Sequence, residues 1–343
     1  MARHLVTAVV LAALVFLLGC ERGGSSQDQD LPLEGILAGF SHAGQLVLLN
    51  LADGNVSFRD IQSRIDPLAP RGWPFLSDGK VIFFDGGVWR IQSLDAPTSE
   101  EIGAWDWVRP QPGGTLLAVA RRAGEIGLWS PEGGLRVLPV QGEGGVGGVA
   151  WAGEDRLLWV DGSRFPSAFF EVDVTGELIP KEVAPPSNLE PVPMDYDLTL
   201  LGSLRSGEVV GARLFPVDPA SYRLFIFEPG LKEATEAPFS TWAPAWAELS
   251  PSLWVSSLSV GPGGEGNSPR YGFYVGNGWT GEYREVEADP SPWPWVVVLQ
   301  DGRWGFLDAE GHLVVVDEKG QVVGRRDLPL RLSYLFPETV PSP

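Results

Sequence analysis

Short apolar runs alternate with turns along the whole chain, and the pattern is plainest between residues 293 and 328. Four runs, Trp295–Leu299, Arg303–Leu307, His312–Val316 and Val322–Asp327, are separated by turns that carry Asp301-Gly302, Gly311 and Gly320. Glycine reaches positive φ at little steric cost, which tight hairpin turns require. The spacing predicts a four-stranded antiparallel meander. One such sheet has two faces to bury and two edges to protect and is marginal alone, so further copies are expected.

Copies follow from the N-terminal side. The last hairpin recurs at Leu48-Leu49-Asn50 with Gly54, at Leu128-Trp129-Ser130 with Gly133, at Val172-Asp173 with Gly176 and at Ile226-Phe227-Glu228 with Gly230. An opening aromatic residue followed by a turn recurs at Trp73, Trp107, Trp151 and Trp246. Turns return about every 35–55 residues, near the length of a four-stranded propeller blade with some long loops. The units fall at 69–103, 104–142, 145–184, 188–238, 241–287 and 292–328, with an incomplete one at 35–62 that lacks an opening strand. The spare apolar run Leu330–Phe336 is predicted to complete it. The expected fold is all-β: a β-propeller of seven four-stranded blades, the first completed by the C-terminal strand, because closure removes exposed edges. The irregular stretch 189–238 leaves six or eight blades open as alternatives. No amphipathic helical period appears beyond the N-terminus, and 43 Gly with 30 Pro suit a chain of turns.

Blades that open with an aromatic residue, Asp-Gly and an alternating strand resemble the β-propeller repeats of the Tol-system periplasmic propeller and of WD-type lipoproteins. The run Val316–Leu328 is similar to a pyrroloquinoline-quinone-type propeller repeat. The resemblance implies a non-catalytic platform for another envelope protein.

The N-terminus sets the expected location. Leu5–Leu18 is an uncharged run of about fourteen residues, short for a membrane span and suited to a signal-peptide core. Leu17-Leu18-Gly19-Cys20 resembles a bacterial lipobox, which implies cleavage before Cys20 and its acylation; Cys20 is the one cysteine in the chain. The expected organisation is a lipoprotein signal peptide at 1–19, a lipidated Cys and polar tether at 20–34, and one propeller domain at 35–343. Glu21, where many inner-membrane lipoproteins carry Asp, favours the outer membrane. A formal charge of −19 argues against nucleic acid and against a charge-based grip on anionic lipid, so attachment is expected through the acyl chain.

Catalytic material is sparse. His4 leaves with the signal peptide, so only His42 and His312 remain, and neither a two-histidine metal site nor Ser-His or Cys-His catalysis is expected. Asp195 with Asp197, and Glu154 with Asp155, read as solvated loop charges. No cofactor is expected. The 14 tryptophans offer the sharper question. Trp105 with Trp107, and Trp293 with Trp295, each place two indoles on one face of an extended strand, and Trp246 falls at an equivalent position. They either fill the wedge between blades or line a channel mouth and bind a sugar or peptide. The leading expectation is a monomeric, non-catalytic scaffold for an envelope protein. A glycan- or small-molecule-binding propeller stands second and a propeller-type lyase or hydrolase third.

Overall fold

The structure, a computed structural model, describes residues 32–336 apart from 63–74, 78, 95, 97, 141–144, 163–166, 190–197, 205–206, 216–220, 229, 231–232, 242–244, 251–252, 261–269, 278–279, 281 and 287–294. Among the described residues the strands form seven four-stranded sheets, all with antiparallel pairing. Six take their strands from one continuous stretch each: 75–103, 107–137, 146–183, 198–241, 245–286 and 296–326. They are numbered here as sheets 2 to 7. Sheet 1 joins Leu332–Leu335 to Ile36–Ser41, Gln45–Asn50 and Val56–Gln62, in that spatial order.

Burial falls from the opening to the closing strand in sheets 3, 4 and 7. Opening strands such as Val146–Trp151 and Val296–Val298 are mostly buried, whereas the closing strand Gly134–Val137 is wholly exposed and Val322–Arg326 largely so. Opening strands therefore lie near the axis and closing strands at the rim. The two faces of each sheet serve two neighbours, as the period-two alternation of a strand demands. Val81 and Phe83 of sheet 2 share a core with sheets 1 and 7, while Ile82 between them packs in a second core with Val108 and Val119 of sheet 3. Trp107 of sheet 3 meets Val149 and Trp159 of sheet 4; Leu158 and Phe169 of sheet 4 meet Leu200 and Phe225 of sheet 5. Thr235–Thr241 of sheet 5 runs against Leu253–Val260 of sheet 6, and Phe273 of sheet 6 packs with Trp304 of sheet 7. This is the architecture of a β-propeller.

Sheet 1 joins the two ends of the domain. Gly39 pairs with Leu335 and Phe40 with Tyr334, and the Phe336 N–H donates to the Ala38 carbonyl at 3.0 Å. Leu332, Tyr334, Leu335 and Phe336 are buried beside Phe40 and Leu46, so the C-terminal strand supplies core as well as edge pairing. On the far side of the molecule the opening strands of sheets 4 and 5 approach closely. Gly148, at φ +147° in a β-bulge, leaves room only for hydrogen: a Cβ there would lie 2.7 Å from the Leu200 backbone nitrogen.

Candidate functional site

Trp105, Trp107 and Trp295 are 5%, 4% and 7% exposed, so none has a ring face free for stacking. Trp295 of sheet 7 donates its Nε1–H to the Ser333 carbonyl of sheet 1 at 3.1 Å and lies edge-on to Tyr334, with centroids 4.5 Å apart. Trp107 fills the seam between sheets 3 and 4. Trp105 and Trp107 do not share a face. The strand begins only at Trp107, after a bend in which the Asp106 N–H bonds to the Ala120 carbonyl. The bend breaks the two-residue period, so Trp105 turns into the seam with sheet 2 and donates to the Ile102 carbonyl at 3.1 Å. The Arg121 guanidinium sits 4.5 Å over its ring. Trp246 lies in the opening strand of sheet 6, opposite Ser256, with its side chain outside the described residues. Trp293, Cys20, Asp195 and Asp197 also lie outside them.

Other indole N–H groups tie sheets together across their seams. Trp89 donates to the Trp105 carbonyl at 3.0 Å and Trp151 to the Arg109 carbonyl at 3.0 Å. A buried indole must place its one donor, and a neighbouring sheet's backbone is the acceptor within reach.

The two histidines stay apart in role. His42 is exposed in the turn after Ile36–Ser41. His312 closes a different turn. The buried Asp308 accepts the backbone N–H of Glu310 at 3.1 Å, of Gly311 at 2.9 Å and of His312 at 2.8 Å, all on Oδ1, while Oδ2 lies 3.0 Å from His312 Nδ1. That hydrogen bond, opposed in part by desolvation and aided by the charges of Asp308 and Asp327, raises the His312 pKa above its usual value. Potential ligand atoms of Asp308, Glu310 and His312 fall within 4.8 Å of one another. Both Asp308 oxygens are already engaged, however, and Arg325 approaches Oδ2 at 4.0 Å, so the group reads as a turn clamp. Glu154 and Asp155 are exposed, as expected of solvated charges.

One side chain near the axis was not legible in advance. Arg109, in the opening strand Trp107–Pro110, is half-buried, and its Nε is fully buried with no hydrogen-bond partner. Its Nη1 donates at 3.2 Å to the carbonyl of Val108, the adjacent residue. Burial lowers its pKa to about 10, because removal from water disfavours the charged form.

No protein-family model matches the chain, and no curated protein matches it in sequence. Solved structures do share the fold. A chain of the mitotic checkpoint complex superposes with a TM-score of 0.52 at 12% identity, covering 87% of this chain and 82% of its own. The C-terminal WD40 domain of Sif2 gives 0.52 at 12% identity, covering 90% and 86%. TolB from Acinetobacter baumannii is also similar, with a TM-score of 0.42 at 10% identity over 82% and 76%. At such identities the likeness of the first two speaks for the fold alone, and it places this chain among proteins with the β-propeller fold.

Proposed function

We propose that the protein is a non-catalytic scaffold of the bacterial cell envelope: a closed, seven-bladed propeller, acylated at Cys20 and tethered to the outer membrane, that holds a protein partner. The attachment of the tether to the ring carries this reading. The Arg303 guanidinium donates to the Pro32 carbonyl at 2.9 Å, and Leu33 is buried in the core shared by sheets 7, 1 and 2. The chain therefore leaves the ring at the turn between the first two strands of sheet 7, beside Gly35 and Gln300. An anchor at Cys20 would hold the ring by that side and leave the opposite turns, among them Gly86-Gly87 and 121–125, facing a partner. Propellers also occur in assemblies such as the mitotic checkpoint complex.

Cys20→Ser should move the protein from the membrane to the soluble envelope fraction, and an unchanged membrane fraction would remove the lipid anchor from this reading. Crosslinking followed by capture of the lipidated protein should recover one partner in stoichiometric yield. Repeated recovery of the protein alone would count against the scaffold role.

A further inference from the structure

The seven opening strands carry almost no charge. Their sequences, FLS, WVRP, VGGVAW, LTLLGS, AWAELS, VVV and LSYL, contain one cation, Arg109, and one carboxylate, Glu248. Glu248 belongs to sheet 6 and Arg109 to sheet 3, so two sheets lie between them around the ring in the shorter direction. Among the described residues no carboxylate forms an ion pair with Arg109. Its Nη1 bond to the neighbouring Val108 carbonyl is a local one, and Nε has no acceptor. A guanidinium taken partly out of water normally recovers the lost hydration through a paired anion, since removing it unpaired is costly. Here an intramolecular anion is missing from a half-buried side chain of an opening strand, the strand of each sheet that lies nearest the propeller axis.

We propose that Arg109 is the anchor of an anion-binding site at the axis, and that its ligand is a small molecule bearing a carboxylate. The planar fork suits a two-oxygen acceptor, which could take bonds from the guanidinium edge once the side chain releases the Val108 carbonyl. A monoanion fits better than a phosphate dianion. The turn that follows Arg109 is fastened to the next sheet by Gln111, whose Nε2 donates to the Glu154 carbonyl, and Glu154 and Asp155 stand exposed there. With a net charge of −19 over the chain, a second negative charge on the ligand adds repulsion without a second cation among the opening strands to receive it.

The test titrates the full-length protein with sodium acetate, with inorganic phosphate, and with sodium chloride at matched ionic strength. Two quantities are followed: the thermal midpoint and the Nε–H resonance of Arg109. Acetate should shift the resonance saturably and raise the midpoint by on the order of 5 °C at a hundredfold excess over Kd. Phosphate should do so more weakly and chloride not at all. Arg109→Gln should lose the acetate increment, and Arg109→Lys, which keeps the charge without the fork, should lose most of it. The wild-type resonance decides the matter even if both variants unfold. A resonance that responds no more to acetate than to chloride would overturn the proposal. So would an acetate increment that survives intact in both variants, since the anion would then bind elsewhere. Neither result bears on membrane anchoring or partner capture.

Discussion

Truncation of Phe336 measures how much the C-terminal strand contributes to holding the domain together. The ring is 0% exposed and sits 5.6 Å from Phe40 and 5.4 Å from Tyr334, centroid to centroid, in the core shared by sheets 7, 1 and 2. Phe336→Ala removes a fully buried ring and leaves a cavity between the two ends of the chain, which costs about 3–5 kcal/mol. Each aromatic contact adds roughly 0.5–1.5 kcal/mol beyond area alone, which favours the upper half of that range. Phe58 supplies a matched control. It is the same residue type on the rim strand of the same sheet but 53% exposed, and Phe58→Ala should change stability by about 0.5 kcal/mol or less. At ~2 °C per kcal/mol for a domain this large, the expected fall in Tm is ~6–10 °C for Phe336→Ala and ~1 °C for Phe58→Ala. Urea unfolding followed by tryptophan fluorescence and by circular dichroism gives the free energies, provided the two probes coincide. If both variants unfold at the same midpoint, the C-terminal strand is not part of the core and sheet 1 is wrongly assembled.

Two further predictions test local features. Gly320 has φ +72°, and a Cβ there would meet Val286 Cγ2 at 2.9 Å and Arg284 Nη2 at 3.2 Å on the neighbouring sheet. Gly320→Val should therefore lose about 1–2 kcal/mol from backbone strain alone, with the overlap added, and lower the urea midpoint before it alters any binding; a variant as stable as wild type would contradict this. The raised His312 pKa means that its stabilising contribution is fully present below the unfolded value near 6.5 and is lost as pH rises through the folded value. Asp308→Asn keeps the Oδ1 acceptor but removes the carboxylate, so it should flatten the stability profile above about pH 6.5, where the wild type declines. Because the His312 side chain is 37% exposed, the effect should be small and should shrink further with salt.

Much of the fold is visible in the hydrophobic pattern, because each sheet is a local meander whose turns are marked by glycine. The unit at 292–328 encloses the strands at 296–326, and the runs at 35–62 became Ile36–Ser41, Gln45–Asn50 and Val56–Gln62. The pairing of the two chain ends was also legible, since Leu330–Phe336 was an apolar strand without a local partner. The site was less so. Spacing placed Trp105 and Trp107 on one face because it assumed an unbroken strand, and the bend at Asp106 sent them to opposite seams. Indole count cannot separate seam packing from a binding surface, because both call for large flat side chains with one polar handle. Arg109 was silent for a different reason. Its meaning lies in the missing counter-charge, which depends on seven strands distant in sequence meeting at one axis. The tight approach of Gly148 to Leu200 is equally a property of two neighbouring sheets and of neither strand alone.

Closure of the ring by its two ends is tested most directly by amide hydrogen exchange along Leu332–Phe336 under native conditions. The Phe336 amide bonds to Ala38, and the strand pairs with Ile36–Ser41 inside a buried cluster. These amides should therefore exchange as slowly as those of the buried opening strand Val146–Trp151, through the same global opening. Exchange at the rate of a frayed terminus, with Val146–Trp151 still protected, would show that the C-terminal strand does not close the propeller.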